Sequence, residues 1–101
     1  MVVQRAAVYF LDLGPTIGRE QSGVRPVVVI SRDEINHLPL VVTVVPGTRG
    51  ANVLKNHPSN VRIPSGEANL PDETVFLTFQ VRAVDHRRFT SPHLGLCPQC
   101  G

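Results

Sequence analysis

"REQSGVRPVVVIS", residues 19–31, is the stretch on which the reading of the fold turns. Glu20 and two arginines, Arg19 and Arg25, crowd a turn broken by Gly23, and the β-branched aliphatics Val27, Val28, Val29 and Ile30 follow at once. A continuous apolar run of this kind, with Pro26 tolerable only at its opening, predicts a strand over 25–31. Pro26 fixes its own φ and biases Arg25 toward extended backbone. The guanidinium is thereby expected at the mouth of a strand, held by the sheet behind it.

Upstream, "VVQRAAVYFLDL" at 2–13 is apolar at most positions and carries Tyr9 and Phe10, as a central strand would. Gly14, Pro15 and Gly18 then break any regular element, and the connection to the next strand is long enough to suggest a functional loop. Downstream, "SRDEIN" predicts one helical turn, with Ser31 as N-cap and Glu34 completing a capping box. "LPLVVTVVP" at 38–46 reads as a third strand, and the polar, glycine-bearing stretch after it as a mobile loop. A short strand is expected at 61–63. A last long one is expected at 74–84, with Val75, Leu77, Phe79 and Val81 sharing a face. Asp85 is placed to cap a brief helical turn reaching Phe89. The stretch at 90–101 is rich in proline and glycine and accommodates no stable helix.

The whole is mainly β: short strands with long loops, closing into a small barrel or strongly curved antiparallel sheet with one or two helical turns. Length allows one domain, read as 1–89 with a tail at 90–101. A hydrophobic share of 42% with a net charge of +2 excludes a disordered polymer. No stretch approaches a membrane span and the amino terminus lacks a secretory pattern, so a cytoplasmic protein is expected. Cys97 and Cys100 sit too close to the carboxyl end to organise the fold through disulfides, and they read as free or adventitiously oxidised thiols. Half a zinc ribbon is not a structural metal site, and the histidines are scattered, so no metal or cofactor is expected.

Nine of the ten cationic residues are arginine, the exception being Lys55. Arginine forks onto phosphate in a planar, two-pronged way that lysine cannot reproduce. Phosphate-cradling glycine loops, paired-histidine metal helices and nucleophile elbows are all absent from the sequence. The conspicuous polar residues are instead Glu20, Gln21, Arg25, Thr48, Arg49, Gln80 and Arg82, at strand ends or in long loops.

"VYFLDLGPTIGREQSGVRPVVVIS", then "VVTVVPGT", then "FQVRAVDHRRF", in that order and spacing, resembles the MazF/PemK family of toxin endoribonucleases. The resemblance runs from about residue 7 to 89. It implies an SH3-like curved sheet that dimerises and cuts single-stranded RNA at short sequences without a metal. It also implies neutralisation by an antitoxin whose acidic, flexible segment occupies the RNA groove. Arg25 and Thr48 fall on the family's catalytic pair. Glu20 is then the nearest group to orient Arg25 or to accept a proton, because a guanidinium keeps its own. Arg19, Gln21, Arg49, Lys55, His57, Gln80 and Arg82 are candidate RNA contacts. Relatives usually continue into a C-terminal helix where this sequence has a proline- and glycine-rich tail, so some uncovered apolar surface is expected, and Gly47 ahead of Thr48 predicts a loosened loop. A second reading stays open: a non-catalytic or degenerate module on the same barrel, acting through protein contact with an antitoxin or a gyrase-like partner. The gyrase-poisoning relatives depend on a tryptophan, and this chain has none.

Overall fold

The computed structural model describes residues 2–15, 17–18, 23–38, 40–53, 55 and 57–97. Its strands are β1 (Ala7–Asp12), β2 (Val24–Val29), β3 (Val41–Arg49), β4 (Asn60–Ile63), β5 (Thr74–Leu77), β6 (Arg82–Asp85) and β7 (Gly95–Leu96), with one helical turn, α1 (Asp33–Asn36), between β2 and β3. All pairings are antiparallel, in the order β4-β5-β3-β2-β1-β7, with β6 also on β3. The expected mainly β, curved antiparallel sheet is the observed one.

Alternate residues of the central strands feed two cores. Tyr9, Leu11, Val27, Val29, Val42 and Val44 pack with Val84 and Phe89 on one side. Val8, Val28 and Val45 pack with Ile63, Leu70, Phe76 and Cys97 on the other. A strand covered on both faces needs apolar residues at every position, which is why residues 27–29 read as an unbroken run. Tyr9 anchors the first core, edge-on to Phe89 at 5.0 Å. Burial pushes its hydroxyl's pKa above the usual tyrosine value.

β3 carries the curvature. Its first half, Val41 to Val44, pairs with β6, and its last three residues, Gly47 to Arg49, pair with β5. Between these ladders residues 77–81 face only Val45 and Pro46. Pro46 has no N–H to donate, so a continuous ladder cannot form there, and the chain turns through a 3-10 segment at Thr78–Gln80 instead. The single long strand expected at 74–84 is therefore two strands. Its expected apolar face is broken as well: Val75 and Leu77 are buried whereas Phe79 and Val81 are exposed.

β3 also runs three residues past Pro46, so Thr48 and Arg49 stand in a strand and not in the mobile loop anticipated. Gly47 tightens that segment where a loosened loop was expected. A Cβ on it would lie 2.8 Å from Thr74 Cγ2 and 3.1 Å from the Phe76 ring, so its lack of a side chain is what lets β3 and β5 approach.

The capping box does not form. Arg32 occupies the N-cap of α1 with no side-chain hydrogen bond to the turn. The Ser31 hydroxyl is committed elsewhere: it donates to Asn36 Oδ1 and accepts from the Thr43 N–H at 3.1 Å. Glu34 pairs with Arg32 at the surface. The cap at Asp85 is as expected, its carboxylate accepting from the Arg87 N–H at 2.8 Å. Residues 94–97 add to the sheet: β7 pairs with β1, the Leu94 and Cys97 amides donate to Val8 and Ala6, and the Cys97 side chain is buried. Apolar side chains stay exposed at Leu38, Leu40 and Val41 as well as at Phe79 and Val81. No helix among the described residues is long and apolar enough to cross a membrane.

Candidate functional site

Arg25 and Thr48 meet because of register. β2 and β3 pair Val29 with Val44, Val28 with Val45 and Val27 with Pro46. Two residues further along each strand, Arg25 and Thr48 stand opposite one another, just beyond the last ladder pair. There β3 has swung over to β5. The gap between strands is spanned by side chains, and Arg25 Nη1 donates to Thr48 Oγ1 at 3.4 Å. Arg25 is half-buried and lies against Leu11 of β1, and Thr48 is 6% exposed. The base of the β1–β2 connection is pinned by Gly14, whose φ of +70° admits a tight turn: its N–H donates to Asp12 Oδ1 at 2.8 Å, and the Leu13 and Gly23 amides close the hairpin.

A cleft of about 220 Å³ opens at this point, and Arg25, Thr48, Arg49, Phe10, Pro71 and Asp72 are among the residues lining it. Arg49 reaches Asp72 across 3.7 Å, both side chains being well exposed. A surface pair of that kind contributes only about 0–1 kcal/mol, so Arg49 is exchanged to another anion at little cost.

The Thr48 hydroxyl has a second donor, Asn52 Nδ2, at 3.1 Å. A hydroxyl carries two acceptor lone pairs and one proton. With Arg25 and Asn52 both donating to Oγ1, the proton is left to be donated away from them. Thr48 is thus set as a hydrogen-bond donor beside a cationic fork, an arrangement suited to an anionic group with several oxygens.

Of the sequence candidates, the fold brings Arg25, Thr48 and Arg49 together at the cleft. Glu20, Arg19 and Gln21 lie outside the described residues, as does Cys100. Lys55 and His57 sit on the connection into β4, away from the cleft lining, and His57 Nδ1 is paired with Ser59 Oγ at 2.7 Å. Gln80 is in the 3-10 turn after β5, and Arg82 is in β6 opposite Val44; neither lines the cleft. Asn52 escaped the sequence reading because its segment looked mobile. The signal was the four-residue spacing from Thr48 across Gly50, which a tight turn brings back onto the strand end. Among the described residues no group of three His, Cys, Asp or Glu side chains is placed to hold a metal ion.

Comparison with known proteins is consistent with this geometry. The family model described as the PemK-like, MazF-like toxin of type II toxin-antitoxin systems matches residues 4–99. The chain is 38% identical over 90 residues to endoribonuclease EndoA of Bacillus subtilis, covering 89% of this chain and 77% of that protein. It is 39% identical over 87 residues to endoribonuclease MazF of Staphylococcus epidermidis, covering 86% and 72%. Among solved structures it is similar to MazF of Deinococcus radiodurans, with a TM-score of 0.79 at 26% identity, covering 98% of this chain and 84% of that one. A MazE-MazF structure from the same organism gives 0.73 at 25% identity with the same coverage.

Proposed function

The chain belongs to the PemK-like, MazF-like toxin family of type II toxin-antitoxin systems, and on that premise we propose that it is an endoribonuclease that cuts single-stranded RNA at selected sequences. The observation that carries this reading is the Arg25–Thr48 pair at the mouth of the cleft. The ribose 2'-hydroxyl attacks the adjacent phosphorus, the bond from phosphorus to the 5'-oxygen breaks, and the products are a 2',3'-cyclic phosphate and a 5'-hydroxyl. The nucleophile belongs to the substrate, so the chemistry needs no metal to generate one.

Charge accumulates on the non-bridging phosphate oxygens as the reaction proceeds. The Arg25 fork and the Thr48 O–H are the donors that receive it. One such preorganised donor contributes roughly 3 kcal/mol to lowering the barrier. A guanidinium holds its proton too firmly to act as a base, so Arg25 clamps the phosphate or donates to the departing 5'-oxygen. Glu20 orients Arg25 or takes the 2'-hydroxyl proton. Arg49, released from Asp72, holds a neighbouring phosphate, and Arg19, Gln21, Lys55, His57, Gln80 and Arg82 extend the track along the strand. The protein works in the cytoplasm as a homodimer. Its antitoxin inserts an acidic, flexible segment into the same cleft, a reading supported by the similarity to the MazE-MazF structure.

The test is to incubate the purified protein with single-stranded RNA in excess chelator, beside Arg25→Ala and beside RNA carrying one 2'-deoxyribose at the cut site. Cyclic-phosphate ends that vanish in both controls support the reaction. Intact RNA together with tight binding to a protein partner refutes it in favour of a non-catalytic module. A Glu20→Gln variant with full activity removes Glu20 from the scheme.

A further inference from the structure

Asn52 holds the Thr48 hydroxyl from a 3-10 turn, Gly50–Asn52, that has no helix or long strand of its own to brace it. A guanidinium braces it from β4. Arg62, on β4, donates from Nη1 to Glu73 Oε1 at 2.8 Å and to the Gly50 carbonyl at 3.5 Å, and from Nη2 to the Val53 carbonyl at 2.9 Å. Glu73 closes the frame from the other side, its carbonyl accepting the Gly50 N–H at 2.8 Å, while the Val53 N–H closes the turn onto Gly50. The Gly50 and Val53 carbonyls, one on each side of Asn52 in the chain, are thus tied to one planar fork. A Cβ on Gly50 would run into the Glu73 carboxylate and come within 2.9 Å of Arg62 Nη1, so the frame is built around a glycine.

We propose that Arg62 is a positioning residue for the RNA-cleaving reaction: with Glu73 it fixes the Gly50–Asn52 turn, and through Asn52 it sets the direction in which Thr48 presents its hydroxyl proton. The inference rests on the endoribonuclease reading above. Arg62 acts without touching RNA, since its fork is spent on the turn and on Glu73 and its side chain is only 29% exposed. The fork is necessary, because a lysine in its place meets Glu73 or one carbonyl but cannot span both.

The test is a double-mutant cycle between Arg62→Gln and Asn52→Ala, read as kcat and KM on an RNA oligonucleotide, with amide hydrogen exchange at Gly50 and Val53 measured in parallel. Groups that support a reacting atom from behind cost about 10- to 100-fold in turnover when lost. Each single variant is expected to lower kcat by that order with KM within about twofold, and the double variant to fall no further than the worse single one, because both remove the same support. Arg62→Lys stays low in kcat although the charge is restored. Glu73→Gln, which keeps size and loosens the pair, moves in the same direction by less and serves if Arg62→Gln fails to fold. In Arg62→Gln the Gly50 and Val53 amides exchange faster while those of β1 and β2 are unchanged.

Multiplying effects in the cycle overturn the proposal, as does a loss carried by KM and relieved at low salt, which would make Arg62 an RNA contact. Unchanged exchange at Gly50 and Val53 overturns it independently of any activity. Failure of the underlying reading looks different: the unmodified protein leaves RNA intact, or Arg25→Ala cuts as well as it does, while the exchange data still judge the frame.

Discussion

Replacing Thr48 with valine separates what its hydroxyl does from what its side chain fills. Valine has nearly the same shape and an equal liking for strands, and the site is closely packed at 6% exposure, so the β3–β5 contact survives. The lost hydroxyl strands two donors, Arg25 Nη1 and Asn52 Nδ2. Arg25 is half-buried and Asn52 exposed, so water replaces the missing acceptor for both. The stability cost is then at the low end for a hydrogen bond, about 0.5–1 kcal/mol, and the melting midpoint falls by no more than about 4–8 °C. The rate cost is of another order. If the Thr48 proton is the one that meets the phosphate oxygen, its removal costs about 100- to 1,000-fold in kcat, as loss of one oxyanion donor does elsewhere. The assay is steady-state cleavage of a fluorogenic RNA beside thermal denaturation. Thr48→Ser, which keeps the hydroxyl and frees its rotamer, recovers most of the rate. A Thr48→Val protein within about threefold of the parent's kcat would show that the hydroxyl orients nothing in the transition state, and the site chemistry built on Oγ1 would fall.

Arg25→Lys keeps the charge and loses the fork, so kcat drops by more than about tenfold while RNA affinity, measured by anisotropy on uncut 2'-deoxy substrate, changes little. Gly47→Ala forces a Cβ to 2.8 Å from Thr74 Cγ2; urea unfolding is expected to show about 1–3 kcal/mol of destabilisation, and activity falls with it because Thr48 is the next residue. Asp85, held by the Arg87 side chain and then by the Arg87 N–H, has its carboxyl pulled down to about 2. Asp33 is lowered too, first by the Arg5 N–H and then by the Asn36 amide. Depressed carboxyl values mean stability that is fully present above the ordinary aspartate value of 3.8 and lost as pH falls through the folded value. Thermal midpoints should therefore hold above about pH 5 and decline between about pH 4 and 2, and Asp85→Asn should flatten part of that decline.

The β1–β2 hairpin was legible because two local rules agree there: proline marks the strand opening and an unbroken aliphatic run marks burial on both faces. The third strand, read as ending at Pro46, in fact continues past it, because the cost of that proline depends on a fact that no local window holds. Pro46 sits where β3 changes partners, so its missing N–H is not missed on that side. The same handover explains why one strand was expected over 74–84 and two are found. Local alternation cannot see that the partner strand has a proline facing its midpoint. Gly47 was misread for the same reason: its role is an approach to Phe76, a residue 29 positions away that only pairing reveals.

The catalytic candidates divide along this line. Arg25 carries its own signal, an arginine before proline at a strand mouth. Thr48 carries almost none by itself, and in the folded chain its standing follows from one number, the register. Once Val27 is set opposite Pro46, Arg25 and Thr48 must face each other, and no other register of β2 on β3 would bring a guanidinium to that hydroxyl. A one-residue slip of β2 would turn Arg25 to the face opposite Thr48 and send Val27 and Val29 into the core that Val28 now fills, and Val28 into theirs, so the packing of the two cores fixes the geometry of the pair. The aliphatic run after Arg25 is thus more than a scaffold. By leaving the strand a single register, it determines what the arginine meets.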